Sequence, residues 1–400
     1  MSQSLFRAVE MAPRDPILGL TEGFNADTRA TKVNLGVGVY YDDGGKIPLL
    51  AAVRTAEAAR IALAPPRGYQ AIEGLSAYNQ AVQNLLFGAG TPLASDGSVV
   101  TVEALGGTGA LKVGADFLKR LFPDAGVYIS DPSWENHRAL FESAGFKVEA
   151  YPYYDASTKG VNFAAMAGRL GELPAGSIIV LHACCHNPTG ADITEDEWRQ
   201  VVSIMQGRGL VPFLDMAYQG FADGIDADAV AVRAFAASGM QFFISSSFSK
   251  SFSLYGERVG ALSIVTSAKE EAQRVLSQVK RVVRTNYSNP PTHGGAIVAA
   301  VLSDPALRKL WEEELAGMRT RIRAMREGLV ERLAAQQAKQ DFSFVTRQRG
   351  MFSYTGLNAA QVERLRNEFG IYAVSTGRIC VAALNTRNLD YVAGAIAAIL

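Results

Sequence analysis

The chain has 400 residues, and chains of this length usually form two domains or one large α/β domain. Hydrophobic residues make up 48% and charged residues 20% of the sequence, a composition typical of globular proteins. Lys plus Arg equals Asp plus Glu at 39 each, which argues against broad electrostatic binding to nucleic acid or to anionic membrane.

The predicted elements begin with a strand-like stretch at residues 33–41, which ends at an Asp-Asp-Gly-Gly turn. The middle of the chain then alternates short β-rich runs with helical patterns, and this alternation predicts a mainly parallel sheet with helices on both faces. The seven runs are residues 99–103, 126–130, 147–154, 177–185, 211–218, 241–247 and 260–266. Between two of them, Thr194 and Glu197 form a capping-box signal for a helix over residues 194–207.

The last quarter of the chain begins with a long amphipathic helical pattern from Ala306 to about Gln336. Residues 342–400 are typical of a small α+β unit, and we expect the first stretch of the chain to pack with it. We therefore predict an N-terminal arm and part of a small domain in residues 1–45. Residues 46–315 would form a large domain, and residues 316–400 the remainder of the small domain.

The cysteines and the N-terminus bear on the compartment. Cys184 and Cys185 are adjacent and Cys380 is alone, so no disulfide framework is evident and a reducing compartment is the simpler interpretation. Residues 1–16 are charged and lack the apolar segment of a signal peptide. No apolar run reaches the length of a membrane span. We predict a cytoplasmic protein without a membrane or nucleic-acid partner.

Lys250 is the first candidate for chemistry, in Ser247-Phe-Ser-Lys just past a predicted strand. A lysine that attacks an aldehyde must approach it closely, and small hydroxyl neighbours allow this. Arg258 and the serines could donate charge-assisted hydrogen bonds to a phosphate. The alternative is a solvated lysine in a polar turn.

Asp215 lies at the carboxyl end of a predicted buried strand, where α/β sheets place their ligands. A carboxylate there could pair with a protonated pyridinium nitrogen and keep that ring an electron sink. Alternatively, Asp215 could cap a helix. Tyr218, three residues on, could reach a ring oxygen or could simply pack.

Three further places favour ligand binding without deciding it. Gly107 and Thr108 lie in a glycine-rich turn between a strand and a helix, where backbone N–H groups can bind phosphate. Asn187 begins an Asn-Pro-Thr-Gly stretch at another strand end, which alone could be a plain turn. Trp134 could stack on a flat ring or belong to the core.

The histidines suggest a competing hypothesis of a zinc site. His182 and His186 surround Cys184 and Cys185, and residues 182, 184 and 186 would share one face of a strand. No fourth ligand is evident, so supporting or core histidines, with His137 among them, are the simpler interpretation. Arg281, Arg284 and Arg378 could be solvated charges, although substrates with carboxylates need arginine.

Taken in order, these motifs resemble one family. They comprise residues 34–40, 107–111, 131–137, 186–190, 215–218, 247–260, 287–291, 350–354 and 375–378. Together they resemble the class I aminotransferases of fold type I, in the aspartate and aromatic amino-acid branch. The resemblance implies an α/β fold whose large domain holds a mainly parallel seven-stranded sheet between helices. A smaller α+β domain would come from both termini, and the active sites would be shared across a homodimer.

The resemblance also implies pyridoxal 5'-phosphate as cofactor and a role for each site residue. Lys250 would attach the cofactor and move the proton, and Asp215 would pair with the pyridine nitrogen, with His137 behind it. The other cofactor contacts would be Tyr218 and Asn187 at the ring 3-oxygen, Trp134 stacked on the ring, Gly107, Thr108, Ser247 and Arg258 around the phosphate, and Tyr69 reaching the phosphate from the other subunit.

For the substrate, the resemblance implies that Arg378, with Asn187, binds the α-carboxylate. Arg284, donated across the dimer, would bind a side-chain carboxylate. Trp134 and Gly38 would complete the substrate site. No metal is expected.

The substrate signal is mixed. Tyr41 and Ile47 stand where aspartate-specific members tend to be more polar, and residues 348–357 resemble the aromatic branch. Thr108 and Asn289 instead resemble the aspartate pattern. We expect transfer of amino groups from aromatic amino acids and aspartate to 2-oxoglutarate by a ping-pong mechanism. The alternatives are a strict aspartate aminotransferase, another reaction of the same cofactor, or a non-enzymatic regulator that binds it.

Overall fold

The computed structural model describes residues 4–12 and 17–400. Residues 1–3 and 13–16, which belong to the predicted N-terminal arm and to the stretch without a signal peptide, lie outside the described residues. The helices are α1 (Leu18–Ala26), α2 (Ala51–Leu63), α3 (Ser76–Phe87), α4 (Gly106–Leu121), α5 (Glu135–Ser143), α6 (Phe163–Glu172), α7 (Glu195–Arg208), α8 (Val230–Ala237), α9 (Lys269–Asn286), α10 (His293–Ser303), α11 (Pro305–Ala335), α12 (Ala359–Phe369) and α13 (Leu389–Ile399).

The strands come from the beginning, middle and end of the chain. They are β1 (Val33–Asn34), β2 (Val99–Leu105), β3 (Gly126–Asp131), β4 (Lys147–Pro152), β5 (Tyr154–Asp155), β6 (Gly160–Val161), β7 (Ile178–His182), β8 (Val211–Met216), β9 (Phe242–Ser247), β10 (Val259–Val265), β11 (Phe352–Tyr354), β12 (Ile371–Tyr372) and β13 (Arg378–Cys380). Short 3₁₀ turns occur at Pro92–Ala94, Ala227–Ala229, Ser343–Arg347 and Val381–Ala383.

Seven strands form the central sheet, in the order β2-β10-β9-β8-β7-β3-β4. Only β10 runs antiparallel to its neighbours β2 and β9, and the other pairs are parallel. The seven predicted runs supply these strands, so the mainly parallel sheet is confirmed. The run at residues 177–185 was predicted too long, because β7 ends at His182 and Cys185 adopts a left-handed φ of 53° that an extended strand cannot continue.

The two ends of the chain meet in a second, smaller sheet. Strand β1 pairs in parallel with β12, with Val33 opposite Ile371 and Asn34 opposite Tyr372, so the first stretch packs against the last as predicted. The strand expected over residues 33–41 is much shorter than predicted. The Leu35 N–H still donates to the Tyr372 carbonyl at 2.7 Å, but the Leu35 carbonyl accepts the Cys380 N–H at 2.7 Å, so the pairing with β12 ends there.

Two predicted helices are found with nearly the predicted bounds. Helix α7 follows Thr194, whose hydroxyl and the Glu197 carboxylate form the reciprocal capping bonds. Helix α11 is capped by Asp304 and runs for 31 residues. Its buried Trp311 donates to the Ser251 carbonyl at 2.7 Å. This hydrogen bond fixes the loop immediately after Lys250 to the longest helix.

The core fills both faces of the central sheet, and one face packs closely against α4. On that face, a Cβ atom at Gly114 would lie 2.6 Å from Phe213 Cζ, so only glycine lets the helix approach the sheet this closely. The carboxyl ends of the parallel strands β8 and β9 lie at the same edge of the sheet as the amino end of α4. Within the described ranges, no helix is long and apolar enough to cross a membrane.

We predict that Gly114→Ala destabilises the protein by about 2 kcal/mol, because the added methyl must displace the Phe213 ring in a packed core. The matched control is Gly317→Ala on the exposed face of α11, where the new Cβ meets nothing within 4 Å. The control should be neutral or gain up to about 1 kcal/mol from helix propensity. Urea unfolding measures both, and a Gly114→Ala protein as stable as the control would contradict this packing.

Candidate active site

A cavity of about 240 Å³ lies at the edge where β8, β9 and α4 meet. It brings together nine of the predicted site residues, from six separate parts of the chain. They are Gly107, Thr108, Trp134, Asn187, Asp215, Tyr218, Ser247, Lys250 and Arg258. The sheet edge thus gathers in space what the sequence holds apart, as expected for the carboxyl ends of parallel strands.

Asp215 provides a buried negative charge on the floor of the cavity. Its Oδ2 accepts a hydrogen bond from His137 Nε2 at 2.8 Å, and His137 Nδ1 lies 3.0 Å from Ser133 Oγ. Burial raises the pKa of Asp215, but the hydrogen bond and charge interactions with His137 outweigh it and hold this pKa below its usual value. Its Oδ1 has no hydrogen-bond partner among the described residues, so this oxygen is available to a ligand.

Lys250 lies three residues past the end of β9 and lines the same cavity. Burial lowers the pKa of its amine to about 8, with the nearby Asp215 carboxylate acting in the opposite direction. Its Nζ is 5.2 Å from the centre of the Tyr218 ring. Near neutral pH an appreciable fraction of this amine is therefore unprotonated, the form that attacks a carbonyl carbon.

The opposite end of the cavity is suited to a phosphate. Helix α4 starts at Gly106 without a side-chain cap, so the first N–H groups and the helix dipole face the cavity. Arg258 donates to Ser249 Oγ at 3.3 Å and to the Tyr255 carbonyl at 3.0 Å. No described carboxylate pairs with it. A Cβ at Gly106 would lie 2.5 Å from Arg258 Nη2, so glycine is required beside this guanidinium.

Arg378 lies beside the cavity and is 1% exposed, so the interpretation of a solvated charge is wrong for it. Its guanidinium donates to Asn187 Oδ1 at 3.1 Å and to the Gly36 carbonyl at 2.6 Å. Its Nε is buried without a hydrogen-bond partner, and no carboxylate among the described residues forms an ion pair with it. A buried cation without a counter-charge is costly, so this place is prepared for an anion.

Gly38 does not line the cavity, but it determines how closely Phe352 approaches. A Cβ at Gly38 would lie 2.6 Å from Phe352 Cζ. The Phe352 ring in turn lies 4.4 Å from the Arg378 guanidinium and packs edge-on against Tyr218. Glycine at this position therefore allows the aromatic wall beside Arg378.

Tyr69 and Arg284 are predicted site residues that lie exposed at the surface of the single chain and do not line the cavity. Tyr69 is 95% exposed. Arg284 is exposed in the last turn of α9, and its Nη1 donates to Ser288 Oγ. Neither side chain contacts the cavity residues of its own chain.

Five further residues line the cavity that were not predicted by number as cofactor or substrate contacts. They are Leu111, His182, Ala217, Ser249 and Tyr255. Tyr255 is the most informative, because its hydroxyl accepts the Tyr40 N–H at 2.9 Å and so connects the cavity to the N-terminal segment. Its position three residues before Arg258 was the only available signal, and no sequence pattern predicts the bond to Tyr40.

The histidines do not support the competing zinc hypothesis. Residues 183–186 lie beyond the end of β7, so the expectation that 182, 184 and 186 share a strand face is wrong. Both His186 nitrogens are engaged, with Ser130 Oγ and Thr189 Oγ1 at 2.8 Å each. His186 therefore has no free nitrogen for a metal. His182 lines the cavity, and neither of its nitrogens has a hydrogen-bond partner.

Comparison with known proteins agrees with this geometry. The chain is 68% identical over 397 residues to an aspartate aminotransferase of Pseudomonas aeruginosa, covering 99% of this chain and 100% of the relative. It is 53% identical over 399 residues to an aromatic-amino-acid aminotransferase of Escherichia coli, with 99% and 100% covered.

Among solved structures, the aromatic-amino-acid aminotransferase from Burkholderia pseudomallei, covalently bound to pyridoxal phosphate, matches with a TM-score of 0.98 and 69% identity over 100% of both chains. This agreement confirms the predicted fold type I. The family model for aminotransferase class I and II matches residues 30–396, and so the chain belongs to the class I and II aminotransferases.

Proposed function

We propose that this aminotransferase moves the amino group of aromatic amino acids and of aspartate to 2-oxoglutarate, with pyridoxal 5'-phosphate on Lys250. The observation that carries the proposal is the placement of one half-buried lysine between two opposite charges. The amine of Lys250, with a pKa near 8, shares a cavity with the Asp215 carboxylate and the Arg258 guanidinium. An aromatic aldehyde with a ring nitrogen at one end and a phosphate at the other matches this arrangement.

The residues present fit this cofactor from end to end. Asp215 would hold the pyridine nitrogen in its protonated form through the free Oδ1. Arg258, Ser247 and the first turn of α4 would bind the phosphate. Trp134 would cover the ring, and Tyr218 and Asn187 would donate to the ring 3-oxygen. When bound, pyridoxal phosphate supplies a ring that takes up the electrons released at the substrate α-carbon.

Lys250 then acts as the base and the acid of the reaction. With its lowered pKa, the Lys250 amine would be able to accept the proton from the substrate α-carbon when the cofactor is bound. The same amine returns this proton to the neighbouring cofactor carbon. Release of a 2-oxo acid and reversal of the steps with a second 2-oxo acid give ping-pong kinetics.

Arg378 and Asn187 orient the substrate. The unpaired Arg378 guanidinium would bind the α-carboxylate, which fixes the α-carbon relative to Lys250. A fixed α-carbon would expose its C–H bond, rather than its bond to the carboxylate, to Lys250 and to the electron-withdrawing ring that the cofactor supplies. This orientation selects transamination over decarboxylation.

The sites would be shared in a homodimer. Tyr69 and Arg284 are exposed in one chain and do not contact its own cavity, which supports their donation to the site of the second subunit. There, Arg284 would bind the side-chain carboxylate of aspartate or 2-oxoglutarate, and Tyr69 would reach the cofactor phosphate.

We also propose the domain division into residues 1–45 with 316–400, and 46–315. The pairing of β1 with β12 supports the joining of the two termini in one domain.

A cytoplasmic location is supported by Cys184, Cys185 and Cys380, which are all buried, unpaired thiols.

The central experiment is to record the absorption spectrum of the purified protein before and after adding tyrosine or aspartate, and again after adding 2-oxoglutarate. The visible band of the bound cofactor should shift with each donor and return with the acceptor. Lys250→Ala should abolish this cycle. A protein without the band, or a variant that cycles normally, would contradict the proposal. Response to aspartate alone would favour the strict aspartate aminotransferase.

We predict that Arg284→Ala lowers kcat/KM for aspartate about 100-fold, the loss of a charge-assisted pair worth roughly 2–3 kcal/mol. The kcat/KM for tyrosine should change by less than about threefold, because tyrosine has no side-chain carboxylate. Arg281→Ala is the matched control: it lies one turn earlier on α9 and bonds only to Gln278. Equal losses for both donors, or in both variants, would argue against the assigned role.

The pKa of Lys250 gives a prediction for the cofactor-free protein. Reductive methylation with formaldehyde requires the neutral amine, so labelling of Lys250 should rise through about pH 8. Mass spectrometry can compare it with Lys309, whose side chain is 79% exposed on α11. The ratio of Lys250 to Lys309 labelling should be higher near neutral pH than above about pH 10. A ratio independent of pH would contradict the lowered pKa.

A further inference from the structure

Glu103 is a buried carboxyl group outside the cavity that the reaction does not use. It lies on β2, near the end that leads into α4, and is 2% exposed. No lysine, arginine or histidine forms an ion pair with it among the described residues. An isolated buried carboxylate is costly, so its presence on this edge strand requires an explanation.

The Glu103 side chain fills the space between two segments that only glycine could line. A Cβ at Gly295, in the first turn of α10, would lie 2.0 Å from Oε1, and a Cβ at Gly74 would lie 2.6 Å from Oε2. The Leu75 N–H points to Oε2 at 3.4 Å. The carboxyl group is therefore wedged between the loop of residues 70–75 and the start of α10.

Gln70 connects the same two segments. Its amide nitrogen donates to the Pro291 carbonyl at 2.8 Å, and its side chain lies near enough to the Glu103 carboxyl to act on the pKa of that group. Its Oε1 is buried and has no hydrogen-bond partner. A buried amide oxygen without a donor is unusual, and a neutral Glu103 carboxyl would bring an O–H donor into the neighbourhood of this amide.

We propose that Glu103 is a positioning residue that, as a neutral carboxylic acid, holds the loop of residues 70–75 against the start of α10 and so fixes Tyr69 for the neighbouring site. Tyr69 directly precedes Gln70, and Pro291 closes the segment that follows Arg284. One buried group would thus fix the positions of both segments that a subunit donates to its partner, the loop after Tyr69 and the segment after Arg284. This inference rests on the proposed function, because it assumes that Tyr69 contacts the cofactor phosphate of the partner.

The surroundings favour the neutral form of Glu103. Burial raises its pKa to about 7, although the nearby Leu75 N–H and Gln70 side chain act to lower it. The facing titratable groups are Tyr78 on α3 and Tyr287 at the end of α9, and both are uncharged near neutral pH because burial raises their pKa values. Among the charged groups of the adjoining segments, Lys280 pairs with Glu73 at 2.7 Å and His293 contacts Glu57 at 3.0 Å.

The sign of the pH effect follows from the raised pKa. In the unfolded chain a glutamate ionises near about pH 4.3, whereas in the folded protein Glu103 ionises near 7. Stability is therefore lost as pH rises between these values, and the loss is complete above the folded pKa. Above that pH the Glu103 carboxylate is charged and has no cation as partner, so the loop of residues 70–75 is held less firmly against α10.

Glu103→Gln tests this, because an amide is uncharged at every pH and still carries a hydrogen-bond donor. The matched control is Glu73→Gln, which removes a carboxylate that lies in the loop of residues 70–75 and is paired with Lys280 in a partly exposed ion pair. The holoenzyme is diluted, and the rate of cofactor loss is followed by its visible absorption at about pH 6 and about pH 8.5. The cofactor-free proteins are also melted over the same range.

We expect wild type and Glu73→Gln to lose the cofactor several-fold faster at the higher pH, and Glu103→Gln to remain close to its low-pH rate. The melting temperature of Glu103→Gln should exceed that of wild type by a margin that grows through the titration window. Identical pH profiles for wild type and Glu103→Gln would overturn the proposal. If no cofactor band is present, the proposed function fails, while the melting comparison still decides whether Glu103 is neutral in the fold.

Discussion

The arrangement of the site depends on cations that the protein itself leaves without counter-charges. Arg258 and Arg378 lie in or beside the cavity, and neither has a carboxylate partner among the described residues. Arg378 is buried, and leaving its guanidinium unpaired is expensive; its hydrogen bonds to Asn187 and the Gly36 carbonyl reduce this cost without cancelling the charge. Arg258 is exposed, and its hydrogen bonds to Ser249 and the Tyr255 carbonyl leave its charge available to a ligand. The remaining attraction is available to a phosphate at one end and to a carboxylate at the other.

Asp215 supplies the negative charge of the cavity, in contrast to the cations Arg258 and Arg378. It is the anion on the cavity floor, and the His137 hydrogen bond keeps it ionised despite its burial. Between this anion and the Arg258 cation, Lys250 experiences opposing influences, and burial decides the outcome by favouring its neutral form. The alignment of charges thus sets both the direction in which a polar cofactor must lie and the reactivity of the lysine.

How much of the fold and of the site could be predicted from the sequence depends on how far apart in the chain the interacting residues lie. The seven strands were predicted because their apolar runs are local, and Asp215, Ser247 and Lys250 followed because they stand at or just past strand ends. The order of the strands was not predicted, since pairing is decided between distant segments. Likewise, the burial of Arg378 depends on Gly36, Asn187 and Phe352, and no local pattern distinguishes it from a solvated arginine.

The same reasoning explains why Tyr255 and Glu103 were missed. Their partners, Tyr40 and Gln70, are remote in sequence, and the residue types are common on protein surfaces. The resemblance to a family implied roles for particular motif residues, but it implied none for Tyr255 or Glu103. A buried polar group without an obvious role therefore became visible only when its neighbours were known in three dimensions.

Arg378 and Arg284, the two arginines proposed to bind carboxylates, differ in how firmly the structure holds them, and this difference affects which substrates can bind. Arg378 is held by two hydrogen bonds and an aromatic ring, so the proposed site for the α-carboxylate, a group common to all amino acids, is rigid. Arg284 is exposed and contacts only a serine hydroxyl, so moving it costs little. A rigid arginine for the α-carboxylate and a movable arginine for the side chain of the substrate would allow aspartate and aromatic amino acids to use one site. Mixed sequence signals are then the expected mark of an enzyme that accepts both classes.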